Sequence, residues 1–507
     1  MGSEGRRRNE HNAGAGAPGR SAADWRLRAL LLLSVPLFVA LTWARLRHGV
    51  PELFVADAYY YYAYLPSWWI DGDVDLTNQF LHRPEEAALY GRLPTATGRP
   101  SNPFSIGMAV LLSPAFLLVR AAHGFAGNGW SLSYQLPLYV VAFAFALAGV
   151  LLTLRLVRRF YSEANAAVTV VSLAAGTTWA GYIWFEPDLS HGVSAFCVAL
   201  FLLALFRARE DPRLARMALV GGALGLAALV RPQSSLLAIL VPFVLRRLDL
   251  RGCGAMGLAA LAAFSPQMIA WRAIYGWWLG VPQGNDFMRW HRPMIPELLF
   301  STNHGLFTWS PLLLLALPGF FLVPPRLRTL SVGAAIFLAA QIYVNSVVLD
   351  WWAGGAFGMR RMADYLPLVA VLFAATVARL ERRRFAWRAL LCVCSIGVGL
   401  NWILAVRYYA GELPSVGEVT LRQLWGETVT FPVRLLRERR LTPDGSRRGD
   451  HDRDRDRPPS TRGAAQPWPA IASYPAEGAA RLATPSATPS PTPTRVRKRP
   501  ATSTDGV

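Results

Sequence analysis

Asp57 opens the stretch Asp57-Ala58-Tyr59-Tyr60-Tyr61-Tyr62-Ala63-Tyr64, an acid running directly into tyrosines. At helical spacing Asp57, Tyr61 and Tyr64 share one face, and such a segment can lie flat at a membrane interface. A carboxylate held there can take the proton of an attacking hydroxyl. With an ordinary pKa near ~3.9, it needs burial or an acidified acceptor to do so. The same residues could instead be a helix N-cap and an aromatic belt. Further on, Phe185-Glu186-Pro187-Asp188-Leu189-Ser190-His191 crowds two carboxylates and an imidazole into one short connection. Glu186, Asp188 and His191 are candidate ligands for a divalent metal (Mg or Mn), or proton carriers. The alternation Asp71/Asp73/Asp75 reads either as a cation strip or as an Asp-Gly turn.

The basic residues suggest the complementary chemistry. Arg231 ends an apolar run and is followed by Pro232, which bends the chain; it either snorkels to the interface or faces inward as a phosphate ligand. Arg289, His291 and Arg292 lie in the polar loop Tyr275–His304, and Arg360-Arg361 follow the glycine-rich turn after Asp350. A guanidinium fork suits phosphate, and aromatic rings suit the apolar face of a sugar. Arg231, Arg289, Arg292, Arg360 and Arg361 are therefore the phosphate candidates. Tyr61, Tyr64, His191, His291 and His304 are the candidates for sugar or acceptor contacts. No nucleophile elbow, nucleotide-binding glycine loop or metal-finger spacing accompanies them.

What must position these residues is legible in the composition. Of 507 residues, 53% are hydrophobic and only 17% charged, where a soluble chain carries about a quarter. Mean hydropathy is +0.27. The runs Leu30–Thr42, Leu136–Leu154, Val193–Phe206, Gly252–Ala270, Leu312–Val323 and Leu366–Ala378 hold no charge. Apolar runs approaching ~20 residues match a ~30 Å hydrocarbon core. The expectation is an all-α, polytopic transmembrane bundle with interfacial helices in its first outside loop. The net charge of +20 comes from short arginine clusters between the spans, which orient a membrane protein and carry no nucleic-acid signature. Cys197, Cys253, Cys392 and Cys394 read as small packing residues.

Candidate spans are 29–45, 134–154, 164–184, 193–206, 217–231, 233–245, 252–273, 305–323, 330–349, 362–378 and 388–406, eleven crossings. The run 104–120, with Pro114 at its centre, is treated as interfacial or re-entrant. With the N-terminus cytoplasmic, the clusters around Arg155, Arg207, Arg246, Arg326 and Arg379 then all fall inside, as the positive-inside rule asks. The domain reading is a cytoplasmic tail (1–28), a bundle (29–406) with its large outside loop (46–133), a juxtamembrane segment (407–441) and a disordered Pro/Thr/Arg-rich tail (442–507). Thr42-Trp43-Ala44-Arg45 closes the first span without a small-residue cleavage pattern, so that span reads as an uncleaved anchor.

The order Asp57, Tyr61, Gly72-Asp73, Asn102-Pro103 resembles the first outside loop of the GT-C superfamily of membrane glycosyltransferases. The likeness is to bacterial relatives of the dolichyl-phosphate-mannose protein mannosyltransferases (glycosyltransferase family 39-like) and of the lipid A aminoarabinose transferase. Ala58 stands where that family often has a second acid. The resemblance spans roughly residues 25–406. It implies inverting transfer of a sugar from a polyprenyl-phosphate-linked donor to a glycan, lipid or protein acceptor, among membrane lipids, on the outer face of a bacterial cytoplasmic membrane. Asp57 would be the base. A transporter or flippase would show paired repeats and charges near mid-membrane, whereas the span interiors offer mainly Gln267, Gln341, Asn345 and Asn401. A ligase or polymerase of lipid-linked glycans shares the donor chemistry and remains open.

Overall fold

A backbone surrounded by apolar side chains and lipid must satisfy its own N–H and C=O groups, which leaves helices as the simplest solution. The computed structural model describes residues 20–47, 52–84, 95–245 and 248–441. The expected tail 442–507, residues 1–19 of the expected N-terminal tail, and Arg246-Arg247 lie outside the described residues. Twelve helices of ten residues or more run in order among them: α1 (Arg20–Arg47), α2 (Asp57–Pro66), α3 (Gly107–Ala122), α4 (Leu132–Arg158), α5 (Glu163–Gly176), α6 (Ser190–Glu210), α7 (Leu214–Val230), α8 (Leu250–Tyr275), α9 (Arg328–Ser346), α10 (Leu366–Glu381), α11 (Arg384–Tyr409) and α12 (Glu427–Leu441).

Every apolar run read from the sequence contains helix. Among the described residues, five stretches are long and apolar enough to cross a membrane: α4, α6, α8, α11 and Pro325–Ser346, which contains α9. The run 305–323 is broken into short pieces, Leu306–Trp309, Pro311–Ala316 and Gly319–Leu322, because Pro311 and Pro318 each remove a backbone donor. After Arg231 the chain enters a 3-10 helix, Pro232–Leu240, before a last α-turn, Val241–Val244.

The core sits around α6, whose most apolar window is 78% buried, whereas that of α8 is only 11% buried. α8 is held from one side, by α7. Gly221 and Gly225 make that contact: a Cβ added to them would lie 1.9 Å from Met256 O and 2.3 Å from Ala260 O. Small residues four apart allow such an approach where no hydrophobic drive between helices exists.

Behind α11 the chain folds back on itself. Arg407 is 1% exposed and is held by Glu412 (3.1 Å), Glu427 (3.0 Å), the Gln423 carbonyl (2.9 Å) and Thr428 Oγ1 (2.7 Å). Trp425 Nε1 donates to Thr308 O at 2.9 Å, capping a carbonyl of the broken run 305–323.

Candidate active site

Ala56 adopts φ 52°, ψ −128°, a conformation costly for a side-chain-bearing residue, on the order of 1–3 kcal/mol. It turns the chain so that Asp57 begins α2, where the helix dipole favours a carboxylate. The tyrosines that follow are packed into the protein core, not arrayed as an exposed aromatic belt. Tyr59, Tyr60, Tyr62 and Tyr64 are buried because each side of α2 meets another element. Tyr59 donates to Gln79 O, Tyr62 to Gly129 O, and Tyr64 to Phe104 O at 3.2 Å. Tyr61 is buried too, and of these tyrosines it is the one that lines a cavity of about 260 Å³.

Asp57, Arg231, Arg360 and Arg361 line the same cavity, with Phe104, Gln233, Trp271, Gln283, Phe287, Met288 and Asn345. They arrive from three places: the start of α2, the end of α7, and the glycine-rich turn before α10 with its short helix Arg360–Ala363. The far wall is the loop after α8. It is pinned by an antiparallel bridge between Met288 and Val348, with Leu349 N donating to Phe287 O at 2.9 Å.

Each arginine is aimed by an acid. Arg360 Nη2 lies 2.6 Å from Asp57 Oδ2. Arg361 grips Asp350 through its carboxylate (2.7 Å) and its backbone carbonyl (2.9 Å). Arg231 Nε lies 2.7 Å from Asp364 Oδ2, an ion pair rather than an aligned hydrogen bond. Arg231 Nη1 donates to Ser190 Oγ (3.1 Å), and Ser190 Oγ donates to the Tyr61 hydroxyl (3.0 Å). With its carboxamide oxygen turned inward, Gln233 accepts from Arg231 Nη2 at 2.8 Å. His191 Nδ1 meets the other oxygen of Asp364 at 2.8 Å. Burial raises the pKa of the Tyr61 hydroxyl, which therefore stays protonated.

ArnT from Cupriavidus metallidurans bound to undecaprenyl phosphate is similar to this chain over 83% of it and 72% of that chain, with a TM-score of 0.51 and 17% identity. ArnT in the apo state is similar over 78% and 71%, with a TM-score of 0.48 and 14% identity. No family model and no curated protein matches the sequence. The fold is that of ArnT. The chain is a multi-pass membrane protein.

Within this fold the candidate residues separate. Asp57, Tyr61, Arg231, Arg360 and Arg361 converge on the cavity; Tyr64, His191, His304, Arg289, His291 and Arg292 do not line it. His191 stands one layer behind Arg231. His304 is buried at φ 68°, bonded to Trp352 O at 3.1 Å, and burial pushes its pKa down to about 4, so its ring is neutral. Arg289, His291 and Arg292 are exposed beyond Met288; the Arg289 N–H donates to Val347 O at 2.7 Å and the Arg292 N–H to Arg289 O at 2.8 Å.

Glu186 and Asp188 are buried apart from the cavity. Glu186 accepts from the Tyr409 hydroxyl at 3.0 Å, and Asp188 faces Arg45 at 3.6 Å. Burial, and next the neighbouring Asp188, push the Glu186 carboxyl up to about 7; burial also raises Asp188. A guanidinium already stands where a cation would bind Asp188, and His191 is turned toward Asp364. This donor set does not fit a divalent metal.

Several participants went unread in the sequence. Asp364, Asp350, Ser190 and Gln233 hold the arginines, and Trp271 and Asn345 line the cavity. Asp364 carried a signal: it is an acid at the edge of the charge-free run Leu366–Ala378, where an unpaired charge would be expensive.

Proposed function

We propose that the chain is an integral membrane glycosyltransferase. It moves a sugar, with inversion, from a polyprenyl-phosphate-linked donor to a glycan, lipid or protein acceptor at the outer face of a bacterial cytoplasmic membrane. One observation carries the reading: three arginines, the carboxylate of Asp57 and the phenol of Tyr61 share a single cavity. That ArnT, with the same fold, has been captured with undecaprenyl phosphate supports a donor of this kind.

The roles follow from charge. Arg231, Arg360 and Arg361 take the donor phosphate, whose negative charge grows as the bond to the sugar breaks, and such preorganised donors favour the transition state. Asp57 accepts the proton of the acceptor hydroxyl as its oxygen attacks the anomeric carbon from the side opposite the phosphate. The new glycosidic C–O bond forms as the bond to phosphate breaks, and polyprenyl phosphate leaves. A single displacement inverts the centre. When phosphate competes for Arg360, Asp57 is freed to act as base. No step uses a metal.

Mass-spectrometric comparison of cell-envelope glycans tests this. A deletion strain and an Asp57→Asn strain are expected to lose the same glycan, with the variant protein still inserted in the membrane. Unchanged glycans in a strain whose only copy is Asp57→Asn would refute the base role.

A further inference from the structure

At the other end of α10 from Asp364 the bundle opens into a second cavity, of about 710 Å³. α10 spans Leu366–Glu381, which at ~1.5 Å per residue sets the two cavities roughly 24 Å apart. Arg379 and Arg382 line the second cavity. They are three residues apart and so share a face of the last helical turn. Both are exposed, and no ion pair holds either among the described residues. Glu381 also lines it, but Ser162 Oγ donates to its carboxylate at 3.1 Å. Tyr161 completes the lining, and its hydroxyl is shut off from solvent without a hydrogen-bond partner. Arg326 stands beside it, donating to Phe160 O at 2.8 Å.

Orientation by positive charge explains arginines at helix ends, and Arg383, Arg384 and Arg388 at this same end do not line this cavity. It explains neither a hollow of this size nor an orphaned phenol in its wall. An oxyanion seated there meets two guanidinium groups at once, and the buried Tyr161 hydroxyl gains an acceptor when its side chain turns toward the cavity. Phe321 and Phe385 are 90% and 86% exposed at this end. They offer apolar surface that acyl chains use and a free phosphate does not. We infer that this cavity binds the phosphate headgroup of an anionic phospholipid, with Arg379, Arg382 and Tyr161 as its ligands. The site is independent of the sugar-transfer reading.

Native mass spectrometry of the delipidated full chain, titrated separately with phosphatidylglycerol, phosphatidylcholine and inorganic phosphate, tests the inference. Wild type is expected to take its first phosphatidylglycerol roughly tenfold or more tighter than phosphatidylcholine. R379Q/R382Q should lose that preference, and Y161F should weaken it about threefold or more. R383Q/R388Q, which removes equal charge from the same end, should keep it. The inference is overturned if R379Q/R382Q keeps the preference or R383Q/R388Q loses it. Binding of inorganic phosphate without preference among lipids also overturns it, marking a site for free anions. Should R379Q/R382Q fail to fold, Y161F decides alone, and an unchanged preference in that variant counts against the site.

Discussion

Arg360 Nη2 and Asp57 Oδ2 stand 2.6 Å apart across the cavity, so the only carboxylate lining it among the described residues is already engaged by a cation before any donor arrives. The pair is partly open to solvent on the Asp57 side, 27% exposed against 11% for Arg360. An incoming phosphate can therefore exchange partners with it. Arg360→Gln is expected to lower transfer by about 10²–10³-fold, the usual effect of losing one donor to a developing anion. Arg360→Lys should recover part of this, since it keeps the charge and loses the fork. Turnover of a polyprenyl-phosphate sugar by purified protein measures both, and a fully active Arg360→Gln enzyme would remove Arg360 from the site.

Asp364 aims Arg231 without touching the cavity. Asp364→Asn leaves a nearly buried guanidinium without its counter-charge, a loss of about 3–5 kcal/mol in comparable pairs. Thermal unfolding in detergent should show that loss, and the double variant Arg231→Gln/Asp364→Asn should be less destabilised than Asp364→Asn alone. Additive losses would mean the two residues do not act as a pair.

Glu186 makes stability depend on pH. Its carboxyl is raised from 4.5 to about 7 in the fold, so the native state holds a proton that the unfolded chain releases. Its contribution is complete below pH 4.5 and is lost as pH rises through about 7. His304, lowered from 6.5 to about 4, works in the opposite sense, adding stability as pH rises across that window. The Glu186 part is therefore read as the difference between wild type and Glu186→Gln, which should shrink steadily between pH 4.5 and 7. A difference independent of pH would contradict the assignment.

Because Asp188 is met by Arg45 and His191 by Asp364, chelation is expected to leave transfer unchanged. Incubating purified protein with excess EDTA before assay checks this. A rate lost to chelator and restored by Mg or Mn would require a metal held elsewhere.

Gly358 has φ 63°, and a Cβ there would stand 2.1 Å from Thr178 Cγ2 and 3.1 Å from Trp309 Cβ. Gly358→Ala should cost about 2–4 kcal/mol from backbone strain and overpacking together. Because this turn carries Arg360, donor affinity should fall with stability in a binding titration. Wild-type values for both would show that the turn can shift without consequence.

The helices were legible because long charge-free runs admit few other structures. The cavity arginines stood out for a related reason, since Arg231, Arg360 and Arg361 are charges placed where apolar runs end on the side poor in arginine. Arg289, His291 and Arg292 looked equally promising, yet residue type in an exposed loop says nothing about the direction a side chain takes. Tyr64 shows the converse, since helical spacing put it on the face of Asp57 while packing against Phe104 buried it. Asp364 was overlooked as an ordinary flanking residue, and Ser190 and Gln233 are too common as types to be singled out. The Arg45–Asp188 pair joins the end of α1 to the connection before α6, a contact that local pattern cannot reveal.

The way Arg407 and Trp425 are bound has a practical corollary for shortening the chain. A truncation at residue 406, where the last apolar run ends, would discard Arg407 at the centre of that network and, with Trp425, the cap on the Thr308 carbonyl. Stopping just after Arg407 would be worse, stranding a cation in apolar surroundings. The shortest version that respects these attachments retains the chain through at least Thr428, so the segment after α11 behaves as a buckle closing the bundle, not as a leader into the tail.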